Sequence, residues 1–247
     1  MATKEREGEL LEYLKAHGEA TVGELSAALF VSEPTVRRDL ATLAAEGKLH
    51  RTHGGAVLLA APGENLPQAL REREQSEAKQ TIGRKCLALI PDGATVMVDG
   101  SSTAMALLTA VAREGRSFVV VTNSATAPLL LADTAARVFV SGGELARGTH
   151  AYVGSHAEEF LRSFNADICF FSVRTLTRDG RLTDNAIAEN AVRRVMMAAS
   201  RESVLLLDSG KIGTPCLSTL CHLRDVTHVV SERDISLLFP DFSDKFI

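Results

Sequence analysis

The chain has 247 residues, 45% hydrophobic and 23% charged, with a formal net charge of −4 and a mean hydropathy of +0.06. That is the composition of a soluble globular protein with a real core, in one large domain or two smaller ones, and it excludes wholesale disorder. No apolar run reaches the roughly 18 residues of a spanning helix and the charged start MATKEREGE is no signal peptide, so a cytoplasmic protein without membrane contact is expected.

Residues 1–57 read as three short helices and a hairpin. Leu10, Leu11 and Leu14 share one face of the first helix, and Gly18 is its stop. Thr21 followed by Glu24 is a capping box opening the second helix, with Val22, Leu25 and Leu29 as its apolar stripe. Ser32 caps the third, Pro34 sits in its first turn, and Val36, Leu40 and Leu43 are its buried positions, ending at Gly47. A hairpin then runs from Lys48 through Arg51 and His53, around Gly54-Gly55, to Leu58.

Residues 58–75 hold Pro62 and Pro67 without periodicity and read as a linker. From 76 to 247, β-branched runs alternate with helical stretches. The expected strands are Thr95–Asp99, Phe118–Thr122, Arg137–Ser141, Ile168–Ser172, Ser203–Leu207 and Thr227–Val230. Helical patterns fall near 77–90, 103–114, 124–132, 155–163 and 186–200. This alternation implies βαβ units and a mainly parallel sheet covered on both faces. Cys86, Cys169, Cys216 and Cys221 are scattered without a C-x-x-C, so buried reduced thiols are expected rather than a disulfide framework or a metal site. The apolar end 235–247 either packs on the domain or seals an interface.

The second and third helices are spaced as a helix-turn-helix. Subtracting its buried positions leaves Thr35, Arg37, Arg38 and Thr42 on the outer face of the third helix, with Ser32 at its tip and Lys48, Arg51 and His53 on the hairpin. A major groove accepts such a helix, its arginines reaching guanine or phosphate. Asp39 between them is read as pairing with a neighbouring arginine rather than facing phosphate. The string VSEPTVRRDLATLAAEGKLHRTHGGAV (31–57) resembles the winged helix-turn-helix signature of the DeoR family of bacterial transcriptional regulators. The resemblance implies double-stranded operator DNA as a partner.

Several strands end in small polar turns: Asp99-Gly100-Ser101-Ser102-Thr103, Thr122-Asn123-Ser124, Ser141-Gly142-Gly143 and Asp208-Ser209-Gly210-Lys211. In a parallel sheet such loops converge on one crevice, where hydroxyls and free N–H groups at helix starts, with a lysine, suit a phosphate. These loops resemble those of DeoR-type sensor domains, and Lys79 stands where the family opens the domain with a Glu-Lys pair, its glutamate displaced by one residue. The resemblance implies a fold related to phosphosugar isomerases and an effector that is a phosphorylated sugar. Its binding residues are expected to be Lys79, Asp99, Ser101, Ser102, Thr103, Asn123, Gly142, Gly143 and Lys211. The family's glycine-containing turn after the fourth strand is replaced here by Val173-Arg174-Thr175-Leu176.

The expected function is a regulator, a repressor of a carbohydrate catabolic operon, acting as a homodimer or homotetramer with no cofactor and no catalysis. An isomerase or transferase carrying a DNA-binding domain is the alternative, with Asp99, Asp184, Glu189 and Lys211 as the available acids and base; no catalytic constellation assembles from them. A pure interaction module leaves the hydroxyl-rich loops unexplained. Net charge misleads here: residues 1–57 hold seven Lys and Arg against nine Asp and Glu, yet five of those acids lie at or before position 19, ahead of the reading helix.

Overall fold

The computed structural model describes residues 3–46, 48–52, 54–58, 68–146 and 148–247, and the chain divides into two compact units, 1–66 and 67–247. The expected helix stop at Gly47, the hairpin's His53 and the proline-rich stretch 59–67 lie outside the described residues.

In the first unit α1 (Thr3–His17) ends at Gly18, whose φ of +77° is the left-handed conformation glycine accepts at a helix end. A short strand β1 (Glu19–Thr21) follows, and Thr21 then caps α2 (Val22–Leu29). Its hydroxyl accepts from the Glu24 N–H at 3.1 Å while the Glu24 carboxylate accepts from the Thr21 N–H at 2.7 Å, so the capping box is complete. The Thr21 N–H first, and then the Thr21 hydroxyl donating to the same carboxylate at 2.9 Å, hold the Glu24 carboxyl below the usual range. The helix-turn-helix turn closes where the Val31 N–H donates to Ser26 O at 3.2 Å, and α3 (Glu33–Ala45) begins. The hairpin is β2 (Leu49–Arg51) and β3 (Gly55–Leu58); β3 also pairs antiparallel with β1. Leu10, Leu14, Val22, Leu25, Leu29, Val36, Leu40, Leu43 and Leu49 converge on one small core. Burying each such side chain contributes about 1.5–3 kcal/mol.

The second unit begins with α4 (Gln68–Arg73), a helix within the stretch expected to be linker, followed by α5 (Ser76–Leu87). Then come β4 (Thr95–Val98), α6 (Ser102–Glu114), β5 (Val119–Thr122), α7 (Ala127–Leu131) and β6 (Arg137–Val140). A two-strand ribbon of β7 (Glu144–Leu145) and β8 (Tyr152–Val153) leads to α8 (Ser155–Arg162) and β9 (Ala166–Phe171). Next are β10 (Thr175–Leu176), β11 (Arg181–Asp184), α9 (Ile187–Ala198), β12 (Ser200–Leu206), β13 (Ser218–His222) and β14 (His228–Val230). The strands β14, β12, β9, β4, β5 and β6 form one parallel sheet in that order. The chain starts in the middle at β4, winds outward to β6, then returns to β9 and winds the other way. That is the doubly wound arrangement, and its switch point lies between β4 and β9.

Alternation along each strand divides the apolar side chains between two cores. Val96, Val98, Ile168, Phe170, Val204 and Leu206 face α5, α6 and α7, while Met97, Cys169, Phe171 and Leu205 face α8 and α9. Cys86 and Cys169 are buried free thiols, and burial pushes the Cys86 thiol up to about 12. Cys216 and Cys221 are free and half-buried. The antiparallel sheet β10-β11-β13 was not expected; its strands are short, β10 and β11 form a tight hairpin, and β13 joins β11 from some 40 residues on. The C-terminal stretch packs on the unit: Phe239 is buried, Phe242 and Phe246 join the second core, and the Ile247 N–H donates to Val229 O at 3.0 Å. No helix among the described residues is long and apolar enough to cross a membrane.

Candidate functional site

On α3, Val36, Leu40 and Leu43 are fully buried, which turns Arg37, Arg38 and Thr42 outward and leaves Thr35 half-exposed. Ser32 begins the helix, but its hydroxyl shares a hydrogen bond with Thr35 Oγ1 at 2.9 Å instead of capping a backbone N–H. Arg37 is steered by Glu33 at 2.8 Å, and Lys48 pairs with Glu46 at 2.6 Å. Arg38 and Arg51 are exposed, and neither has an ion-pair partner among the described residues. Asp39 is only 2% exposed, and its partner is Arg6 of α1, not an arginine of the reading helix. The pairing is bidentate, with Arg6 Nη2 donating to Oδ1 at 3.0 Å, so it joins α1 to α3 and removes the carboxylate from the outward face. The long-range partner could not be read from helix spacing.

The polar loops of the second unit meet at the switch point. The three hydroxyls after β4 divide their labour. Ser101 Oγ accepts from the Ala104 N–H at 3.2 Å, capping α6, and donates to Asp99 Oδ1 at 2.6 Å. Thr103 Oγ1 accepts from Lys211 Nζ at 3.1 Å. Ser102 lines a cavity of about 440 Å³ together with Ser76, Lys79, Gln80, Thr126 and His150. Lys211 also donates to Ser172 Oγ at 2.8 Å and lies 3.4 Å from Asp208 Oδ2, so one ammonium ties the loops after β4, β9 and β12. Burial draws Lys211 below the usual lysine range against the pull of Asp208. Lys79 is buried, and burial together with the nearby charge of Lys211 lowers it to about 8. Two amines, Lys79 buried and Lys211 half-buried, that desolvation holds below their ordinary range favour an anionic guest, which would restore the stability of their charged forms.

Asn123 braces the crevice: its Oδ1 accepts from the Gly100 N–H at 3.0 Å and its Nδ2 donates to Tyr152 O at 3.0 Å. Gly142 and Gly143 turn the chain after β6 with φ of +61° and +112°. A Cβ on Gly143 would meet Val153 O at 2.8 Å, so close backbone approach accounts for that glycine.

The centre of the crevice was missed in sequence. Arg193 on α9 is 3% exposed and bonds three buried carboxylates: Asp99 at 2.9 Å, Asp184 at 3.1 Å and Glu189 at 3.0 Å. Burial works against the guanidinium's charge, yet Asp184, Asp99 and Glu189 together raise its affinity for the proton. Burial raises the Glu189 carboxyl, with Arg193 opposing. A Glu and an Arg four residues apart on a helix ordinarily form an exposed pair, so only the packing of α9 against the end of β4 distinguishes this one. Glu232 was missed as well: its carboxylate accepts from the Ser209 N–H at 3.0 Å and from Ser231 Oγ at 3.0 Å, fastening the turn that carries Lys211.

Two family models match the chain: one described as a DeoR-like helix-turn-helix domain over residues 6–61, one as the DeoR C terminal sensor domain over 74–233. The glycerol-3-phosphate regulon repressor of Escherichia coli is 30% identical over 232 residues, covering 94% of this chain and 92% of that one. The L-fucose operon activator of Haemophilus influenzae is 30% identical over 238 residues, covering 96% and 93%. Among solved structures, eIF2B delta from Chaetomium thermophilum aligns with a TM-score of 0.50 at 19% identity over 68% of this chain and 60% of that one, a likeness of fold alone.

Proposed function

Since this chain belongs to the DeoR family of transcriptional regulators, we propose that it is a cytoplasmic repressor of a carbohydrate catabolic operon, displaced from its operator by a phosphorylated sugar. The observation that carries the reading is the pairing, on one chain, of an outward α3 bearing Arg37 and Arg38 with strand-end loops where Lys79 and Ser102 line a cavity and Lys211 holds the hydroxyls of Thr103 and Ser172. Thr35, Arg37, Arg38 and Thr42 would read base edges, with Ser32, Lys48, Arg51 and His53 on the backbone. A homodimer or homotetramer would present two reading helices about 34–36 Å apart, one helical turn of DNA. The weakly charged first unit predicts weak non-specific binding and a strong reliance on the operator.

In the sensor, Lys79, Lys211, Ser102 and Thr103 would hold the phosphoryl group, while Asp99, Ser101, Asn123, Gly142 and Gly143 shape the loops around it. We infer binding without turnover. Asp99, Asp184 and Glu189, the acids a turnover reading needs, are each engaged by Arg193, and Lys211 by Thr103, Ser172 and Asp208. A general base must be free to take a proton, and ion-paired carboxylates resist doing so.

The test is operator binding by fluorescence anisotropy, using the DNA upstream of the protein's own operon and a panel of sugar phosphates. One sugar phosphate should weaken binding while leaving no isomerised product. Equal affinity for operator and random DNA would refute the reading of α3, and steady turnover would revive the enzyme.

A further inference from the structure

α4 is six residues long, well under the roughly 12–15 an isolated helix needs, so its shape depends on what ties it down. Four ties are specific. The Gln68 N–H donates to Gly148 O at 2.7 Å, and Arg71 Nη2 donates to Gln68 Oε1 at 2.6 Å. At the other end the Lys79 ammonium donates to the carbonyls of Arg71 and Glu74, the latter at 2.7 Å. Lys79 is also one wall of the cavity, which Glu72 of α4 lines as well. Arg71 lies within electrostatic reach of Glu189, Asp184, Asp99 and Arg193. Lys79 therefore both holds α4 and faces the cavity, Arg71 of α4 lies near the acidic cluster around Arg193, and among the described residues α4 is the first helix after β3.

We propose that Arg71 and Lys79 are an anion-operated latch: a phosphoryl group bound in the cavity draws both side chains to itself, and α4 is released. The proposal rests on the crevice being an anion site. A phosphate oxygen carries a formal charge that an amide carbonyl lacks, so an ammonium or guanidinium that exchanges one for the other gains a charge–charge attraction. Leaving the carbonyls of Arg71 and Glu74 costs little where water can replace the lysine. The anion thus binds the released arrangement more tightly than the latched one, which is the differential affinity an allosteric effect requires. Six residues span about 9 Å as a helix and up to about 20 Å extended, so release lengthens the tether to each reading unit by about 10 Å. Against half-sites one DNA turn apart, that slack lowers the advantage of binding both at once.

The experiment is hydrogen exchange on the full-length protein, following the backbone amides of residues 68–79, with inorganic phosphate in one arm and glucose 6-phosphate in another, and thermal shift to register binding. Binding should speed exchange across α4 while the amides of α6 stay protected. In Arg71→Gln the anion-induced change should be lost, and Arg71→Lys should restore part of it. In operator binding, the anion should weaken the wild type about 5–150-fold and Arg71→Gln less than about threefold. Anion binding with unchanged exchange at α4 overturns the latch and leaves the crevice intact. No binding of either anion overturns both. Release of α4 that is equal in wild type and Arg71→Gln overturns the role of Arg71.

Discussion

Replacing Arg193 by methionine keeps most of the side chain's volume and removes the one charge that three buried carboxylates share. The distances are 2.9, 3.1 and 3.0 Å, and none of the four side chains is more than 5% exposed. At 3 Å and an effective dielectric of about 20, one such pair is worth about 5 kcal/mol of Coulomb energy before desolvation. Removing one partner of a buried pair costs about 3–5 kcal/mol, because a charge stays behind unpaired. Here three stay behind, so Arg193→Met should destabilise the second unit by at least that amount, a drop in its melting temperature of about 6–20 °C. The carboxylates have one escape, which is to take up protons. Their folded-state pKa values would then lie above the unfolded ones, so the deficit is full at pH 8 and shrinks as pH falls through the raised values. Urea unfolding followed by circular dichroism, at pH 8 and at pH 5.5, reads both, with the first unit's own transition as an internal control. A loss under 1 kcal/mol, or one of equal size at the two pH values, would refute the reasoning.

Arg38→Ala should cost about 1–3 kcal/mol at one base pair and relax specificity there, whereas Lys48→Ala should weaken all sequences alike and reduce the salt slope by about 1; anisotropy against single-substituted operators separates them. Phe30 sits in the helix-turn-helix turn with φ of +53° and is 95% exposed, so it makes little use of its ring. Phe30→Asn relieves the left-handed strain, and thermal unfolding should register the first unit as more stable by about 0.5–1 kcal/mol. Lys79 holds its proton only to about pH 8 and is surrounded by Lys211, Asp208, Glu74 and Arg71. Anion affinity should therefore fall as pH rises from about 7 through that value, and calorimetry near pH 8 should detect proton uptake on binding; affinity that rises with pH above about 7, where the phosphate is already a dianion, would contradict the assignment.

Much of the architecture was readable from local pattern. The six sheet strands lie within a few residues of where β-branched runs predicted them, since a strand buried on both faces must be apolar throughout. The capping box at Thr21 and the stripe Val36, Leu40, Leu43 needed only neighbours within one or two turns. The strands β1, β10, β11 and β13 were illegible because two to five residues carry no period, and β1 and β13 find their partners far along the chain. α4 was hidden in a proline-containing stretch, and its ties come from Gly148 and Lys79.

The candidate sites divide along the same line. The outward face of α3 follows by subtraction from its buried face, and the hydroxyls and lysine of the crevice stand in turns that announce themselves as turns. Sequence alone therefore determined the two kinds of surface this protein presents, because each is written in residues that touch their own neighbours. Only the tertiary structure decided which acids are neutralised and by what. Asp39 found Arg6, and Asp99, Asp184 and Glu189 found Arg193, with partners up to 94 positions apart in the chain. A buried charge takes whichever counter-charge the packing brings to it, and packing is a property of the whole sheet rather than of any window of the chain.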